Sequence, residues 1–393
     1  MTPAELRGQF PTLKHYTWLN AAASSPLPTP VYEAMERHLA QCRDSGDLQY
    51  ASWARFKETV RARLAGFIGA TPAEVAFTPS TSFGFHVVGR MLEARGVREV
   101  LTLETEFPST TIPLLHGDLV LRGVRPRADG SYPLSDLEAA LTPETGAVAV
   151  SVVQYASGYR VDLEGLAQLC KDRGLALCLN AAQAVGLVPL DFAGLGATFL
   201  SATSHKWLMG GYGMGMLAIK KEWLQSTPLP MAGWLSVQPQ DQWQPFIHAE
   251  RDDDPDGFTA WGTRIRREAS ALELGAGSFT GFHGLNAALA LHEAVGGTTT
   301  LGHDVALQLE LRRRLRDRGF VPNAPDVPAT MSGICVVKVQ GDASEVVRAL
   351  VREERVVTTA RGGGLRISTH VYNTLDDVER LLAALDTLGV KPG

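Results

Sequence analysis

Seven short runs of apolar and β-branched residues punctuate the first 220 residues of the chain, and helical patterns separate several of them. The runs are EVAFT (74–78), EVLTL (99–103), LVLRGV (119–124), AVAVSVVQY (147–155), ALCLN (176–180), ATFLSAT (197–203) and GMLAIK (215–220). Several are apolar at nearly every position and lack the alternation of a strand with one wet face. Such runs read as strands covered on both sides. The cover is predicted to come from helices such as 52–68 (SWARFKETVRARLAGFI) and 162–174 (DLEGLAQLCKDRG), the second stopping at Gly174. Strands and helices in this alternation predict an α/β fold with a mostly parallel seven-stranded sheet flanked by helices.

Beyond residue 220 the pattern changes. Pro, Gln, Trp and Asp dominate residues 225–258, and Trp234, Trp243 and Trp261 lie in or beside that stretch. An irregular segment of this length in a compact protein usually serves a function or an interface. Helical connectors follow (GLNAALALHEAVGG and LQLELRRRLRDRG). Then ICVVKVQG (334–341), EVVRALVREERV (345–356), GLRIST (364–369) and LDDVERLLAALDTLG (375–389) read as strand, helix, strand and helix. The predicted organisation is a large domain over 16–280 and a smaller C-terminal α+β domain over 281–393 that also takes in residues 1–15.

A net charge of −5 over 393 residues, with no basic block, argues against nucleic acid or an acidic membrane surface as a partner. The arginine clusters at 312–314 and at 264, 266 and 267 read as solvated helix faces. No apolar stretch approaches the roughly 18 uninterrupted residues of a membrane span, and MTPAELRGQF carries no apolar signal core. The four cysteines (Cys42, Cys170, Cys178, Cys335) form no CxxC pair and no zinc pattern, which suits a reducing cytoplasm.

The candidate chemistry centres on Lys206 in SATSHKWLMGGYGMGML (201–217). An apolar run delivers Ser-His-Lys to a strand end, and Gly210, Gly211, Gly213 and Gly215 follow at once. A lysine there can form a Schiff base with an aldehyde, and glycines let backbone pass close to a flat cofactor such as pyridoxal 5′-phosphate (PLP). Thr203, Ser204 and His205 add polar donors. A second donor set, Ser80, Thr81 and Ser82, sits between the strand ending at Thr78 and a predicted helix, in outline a strand-turn-helix anion site or a simple N-cap. In LNAAQAVG (179–186), Asn180 ends a strand and Gln183 follows. This polar pair can face a crevice at the carboxyl edge of the sheet, or Asn180 can simply begin a helix.

In combination these motifs resemble the class V aminotransferase family of fold type I PLP-dependent enzymes, the superfamily of cysteine desulfurases, selenocysteine lyases, kynureninases and isopenicillin N epimerase-like proteins. The resemblance runs from YTWLNAAASSPLP (16–28) to LRISTHVYNTLDDVERLL (365–382). It implies a PLP enzyme acting on an amino acid or related amine, with Lys206 as the Schiff-base lysine and Thr203 and His205 near the cofactor phosphate. By the same resemblance, Ser80, Thr81 and Ser82 form the phosphate turn, and Phe107 of EFPST (106–110) stacks on the pyridine ring. Tyr155 of VQYASG (153–158) and Gln183 lie beside the ring's phenolic oxygen, and Asn180 falls at the ring nitrogen. Thr263 of WGT (261–263) reaches the partner's cofactor phosphate in a homodimer, and Arg366 grips the substrate carboxylate, which a guanidinium can hold with two hydrogen bonds.

Two positions depart from the family pattern. Asn180 stands where the family carries an aspartate that keeps the ring nitrogen protonated, so a less protonated ring and a weaker electron sink are expected. The segment before Arg366, VVTTARGGG, has no cysteine, which disfavours persulfide-forming desulfuration. The outcomes left open are transamination, epimerisation of the isopenicillin N epimerase kind, or a lyase reaction needing no cysteine. A non-enzymatic alternative is a catalytically weak PLP-fold binding protein, for which Asn180 is the sequence support.

Overall fold

The computed structural model describes residues 1–237 and 265–393. Its strands in chain order are β1 (Thr17–Trp18), β2 (Val75–Thr78), β3 (Glu99–Leu103), β4 (Val120–Val124), β5 (Thr145–Ser151), β6 (Ala176–Asn180), β7 (Phe199–Thr203), β8 (Gly215–Ile219), β9 (Ile334–Val337), β10 (Val356–Val357), β11 (Thr359–Arg361) and β12 (Gly364–Ser368). Strands β2 to β8 form one seven-stranded sheet in the order β2-β8-β7-β6-β5-β3-β4. The pairs from β7 to β4 are parallel, while β8 runs antiparallel to both β2 and β7. The ends of β2, β7, β6, β5 and β3 therefore share one edge. All seven predicted strands are present. The fully buried patterns of β6, β7 and β8 explain their continuous apolar runs, whereas β4, at one edge of the sheet, is largely exposed.

Helices cover both faces. In chain order they are α1 (Pro3–Arg7), α2 (Thr29–Ser45), α3 (Tyr50–Phe67), α4 (Thr81–Ala94), α5 (Pro108–Leu115), α6 (Leu134–Ala139), α7 (Leu163–Arg173), α8 (Lys221–Ser226), α9 (Phe279–Val295), α10 (Gly297–Arg316), α11 (Ala343–Glu354) and α12 (Leu375–Thr387). Helix α7 starts on Asp162, whose side chain accepts the Gly165 N–H, and ends on Gly174 in the left-handed region at φ 65°, as its sequence predicts. Helix α4 lies against β7 at Gly84, where a Cβ would sit 2.1 Å from the Ser201 hydroxyl.

A second apolar cluster joins Leu311, Leu315, Val337, Leu350, Ile367 and Leu381 under the antiparallel sheet β11-β12-β9. Residues near the start of the chain are bound to this C-terminal part. Thr17 and Trp18 of β1 pair in parallel with Val356 and Val357 of β10, Arg7 forms an ion pair with Asp377 at 2.8 Å, and Leu6, Phe10 and Leu13 pack with Val371 and Tyr372.

Three sequence expectations need correction. The run 147–155 is not strand throughout: β5 stops at Ser151, because Gln154 donates its N–H to the Tyr159 carbonyl in a tight loop closed by a Val153–Arg160 bridge. The helix expected over 345–356 ends at Glu354; Arg355 turns the chain at φ 56° into β10. Arg312 is not on a solvated face. It is buried, and it donates to the Ala324 and Ile334 carbonyls and to Asp326, tying α10 to the segment before β9. Arg264, Trp243, Trp261 and Thr263 lie outside the described residues.

Gly186 shows how closely the sheet edge is built. Its φ is 93°, and a Cβ there would come within 2.6 Å of the Trp207 backbone. Gly186→Ala combines a left-handed backbone with overpacking and should cost upwards of about 3 kcal/mol. A denaturant midpoint equal to that of the parent protein would contradict this packing.

Candidate active site

The carboxyl edge of the large sheet gathers the candidate residues. Thr78 and Thr203, the last residues of β2 and β7, both pair with Gly215 at the start of β8. Asn180 ends β6 next to Ser201, and Ser151 ends β5 next to Asn180. After β3 the chain turns through Glu106 and Phe107 into α5. Crevices at the carboxyl ends of parallel strands are the usual ligand sites of such sheets.

Lys206 sits three residues beyond β7 on a backbone held from both sides. Before it, the Ser204 hydroxyl donates to the Gly211 and Met214 carbonyls at 2.7 and 3.0 Å. After it, the chain doubles back through Met209 in the left-handed region (φ 61°), with the Met209 N–H on the Lys206 carbonyl. Trp207 is fully buried; its indole N–H donates to Gln183 Oε1 at 2.7 Å, and its carbonyl accepts Nε2–H from His292 (3.1 Å) and His370 (2.9 Å). The amine of Lys206 lies 5.5 Å from the centroid of the Phe107 ring. Lys206 makes no ion pair among the described residues. Burial, and then the nearby Arg366 cation, pull its pKa down to about 8, which makes the neutral nucleophile available near neutral pH.

The candidate phosphate residues divide by what they already bind. Ser80 is the N-cap of α4, its oxygen accepting the Phe83 N–H at 3.2 Å. Thr81 is different: its hydroxyl is buried and has no partner among the described residues. Ser82 is exposed. The Thr203 hydroxyl bonds His205 Nδ1 at 2.8 Å, and Tyr212 stacks on the His205 ring at 4.3 Å. Burial, and then Lys206, push His205 down to about 4, so it is a neutral polar group at physiological pH.

On the other side of Lys206, Phe107 is 38% exposed and meets Tyr155 edge-on at 5.0 Å. The Tyr155 carbonyl accepts from Arg366 at 3.2 Å. Arg366 is buried, its Nε has no partner among the described residues, and burial followed by the Arg361 cation lowers it to about 10. Lys206, Phe107, Tyr155 and Arg366 thus form a continuous line of contacts. Gln183 is held in the scaffold, donating to the Ala22 carbonyl at 2.9 Å while accepting from Trp207. Asn180 accepts the Ala182 N–H at 3.0 Å and donates to Thr110 at 2.8 Å.

Several contributors escaped the sequence. Trp207, His292 and His370 lock the lysine backbone, and Glu106 and Thr110 stand behind Asn180. Arg361 shares a face of the β11–β12 hairpin with Arg366, because Thr359 is paired with Arg366 and Arg361 with Gly364. Glu106 and Thr110 fall inside the EFPST motif, Trp207 inside 201–217 and His370 inside 365–382, but nothing local marks the partners that give these residues their roles.

Residues 17–381 match the model of the aminotransferase class-V family, so the chain belongs to that family, whose members are PLP-dependent enzymes. It is 26% identical to an uncharacterized aminotransferase, YcbU, of Bacillus subtilis (strain 168), over 99% of this chain and 98% of the relative. It is also 26% identical to isopenicillin N epimerase of Amycolatopsis lactamdurans, over 95% of each chain. A probable cysteine desulfurase of Methanothermobacter thermautotrophicus is 24% identical over 99% of this chain and 98% of that one. Among solved structures, the apo cysteine desulfurase of Thermococcus onnurineus NA1 shares the fold with a TM-score of 0.87 at 23% identity, covering 99% of this chain and 98% of that one. The cystine C–S lyase C-DES does so with a TM-score of 0.82 at 21% identity, over 96% and 99% of the two chains.

The residues present fit PLP. An amine with a lowered pKa can take the aldehyde, a buried unpartnered hydroxyl on the first turn of a 14-residue helix suits the phosphate, and a half-exposed aromatic ring faces the amine. Competitive acetylation of the apo-protein across a pH series should give Lys206 a midpoint near 8, below the roughly 10.4 of an ordinary lysine. A midpoint at the ordinary value would remove the electrostatic basis of the site.

Proposed function

We propose that this protein is a PLP-dependent enzyme acting on an amine-bearing carboxylate, with Lys206 holding the cofactor and Arg366 orienting the substrate. The observation that carries this reading is the line of contacts from the Lys206 amine through Phe107 and Tyr155 to the buried, incompletely paired Arg366. It brings an amine, an aromatic ring and a carboxylate receptor into one neighbourhood. Bound PLP supplies a conjugated ring that can take up negative charge from the substrate α-carbon.

The chain's own residues do the rest. Thr81, with Ser80, Ser82, Thr203 and His205 around it, receives the phosphate; Phe107 covers one face of the ring; Tyr155 and Gln183 lie near its phenolic oxygen. Arg366 binds the substrate carboxylate. The Lys206 amine would be the base that moves the substrate α-proton. The chain works in the cytoplasm as a homodimer in which Thr263 reaches the partner's cofactor phosphate. No helix among the described residues is long and apolar enough to cross a membrane.

The cysteines argue against a persulfide route. Cys170, Cys178 and Cys335 are buried, and burial raises each thiol, Cys170 to about 12. Cys42 lies on α2 beside His38, and the β11–β12 hairpin next to Arg366 has no cysteine. Transamination, epimerisation and cysteine-independent elimination remain the candidate outcomes.

A screen of amino acids against the PLP-loaded protein, read by spectral change and product analysis, should find substrates that carry a carboxylate. Arg366→Leu should raise KM for them by about 100-fold or more, the loss of a buried charge-assisted pair, and should leave amines without a carboxylate unaffected. A colourless protein that takes up no PLP would contradict the reading.

A further inference from the structure

Asn180 raises a question the proposed function leaves open: which atom of its carboxamide is available to a bound cofactor. The two ends of an amide are opposite in kind, N–H donors at one and acceptor lone pairs at the other. Asn180 is buried, and its partners settle which end is which. The Ala182 backbone N–H, 3.0 Å away, can only donate, so the atom facing it is the oxygen. The nitrogen then donates to the Thr110 hydroxyl at 2.8 Å, and that hydroxyl passes its own hydrogen to Glu106 Oε2 at 3.4 Å.

Glu106 is itself held by donors: the Ser151 N–H at 2.6 Å, the Ser151 hydroxyl at 2.5 Å and the Gln154 side-chain amide at 2.8 Å. Burial pushes its pKa up and these donors oppose that shift. In either protonation state the orientation of Asn180 follows from the Ala182 N–H. One N–H of the Asn180 amide is used on Thr110. The second has no partner among the described residues.

We infer that Asn180 offers this second N–H to the cofactor's ring nitrogen, and that Thr110, backed by Glu106, is the positioning residue that keeps the donor end turned that way. The inference rests on the proposed PLP reading. In PLP the ring nitrogen lies across the ring from the aldehyde carbon, so with the aldehyde on Lys206 the nitrogen would lie on the side away from that lysine; Asn180 ends β6 at the same carboxyl edge of the sheet. A nitrogen that accepts a hydrogen bond has no proton of its own. The site therefore holds an unprotonated ring, which draws charge from the substrate α-carbon more weakly than a pyridinium does. This favours returning the proton to the same carbon, or expelling a good leaving group, over the longer shift of charge that transamination requires.

The test uses full-length protein reconstituted with PLP labelled with ¹⁵N at the ring, read by NMR. The wild-type signal should lie at the unprotonated pyridine position and stay there from neutral pH to mildly acidic pH. Asn180→Asp should move it to the pyridinium position. Thr110→Val should broaden or split it, and Thr110→Ser should restore it. A pyridinium signal from the wild type would overturn the inference while leaving the cofactor reading intact. An unchanged signal in a folded Thr110→Val protein would overturn the role given to Thr110 and Glu106. If no labelled cofactor binds, both the cofactor reading and this inference fall.

Discussion

The position of Lys206 depends on the burial of its neighbour Trp207. The indole has no exposed surface, and its N–H is bonded to Gln183 at the end of the β6 segment. Its carbonyl is bonded to His292 on α9 and to His370 after β12, and the His370 ring stacks on it at 5.6 Å. Gly186 and Gly333 leave room for it, since a Cβ at either would come within 2.6 Å of Trp207. Burial lowers His292 to about 4 and His370 to about 3, so both are neutral donors. His370 also accepts the Val371 N–H at Nδ1, which fixes its proton on the nitrogen that faces Trp207. One residue thereby joins the large sheet, the connecting helix and the C-terminal sheet, and the lysine beside it inherits that rigidity.

Electrostatics follow from the same enclosure. Lys206 and Arg366 are partly or fully buried, each lowers or is lowered by a neighbouring cation, and neither has a carboxylate partner among the described residues. Such a site is uncomfortable when empty of anions, because burying charge without a counter-charge is costly. In the proposed function, a cofactor phosphate and a substrate carboxylate would supply what is missing. Asn180 fits this logic: an aspartate there would have given the crevice a fixed negative charge, and the amide leaves the balance to the ligands.

Legibility in the sequence tracked the range of the contacts involved. The seven strands were readable because burial on both faces writes itself into consecutive residues, and the cap at Asp162 and stop at Gly174 are local events. The SHK, STS and EFPST motifs marked Lys206, Thr81 and Phe107 as candidates for the same reason. The pairing of Thr17 with Val356, the three partners of Trp207 and the burial of Arg312 join residues far apart in the chain, and no local pattern encodes them. Asn180 was visible as a substitution, but the direction of its amide came only from Ala182 and Thr110.

The central claim is that the cofactor is held covalently by Lys206 and by no other lysine. Borohydride treatment of the PLP-loaded protein, followed by proteolysis and mass spectrometry, tests it most directly. A stoichiometric phosphopyridoxyl mass is expected on the peptide containing Lys206, and none in the Lys206→Ala protein. The label on a different lysine, or none at all on a PLP-saturated sample, would contradict it.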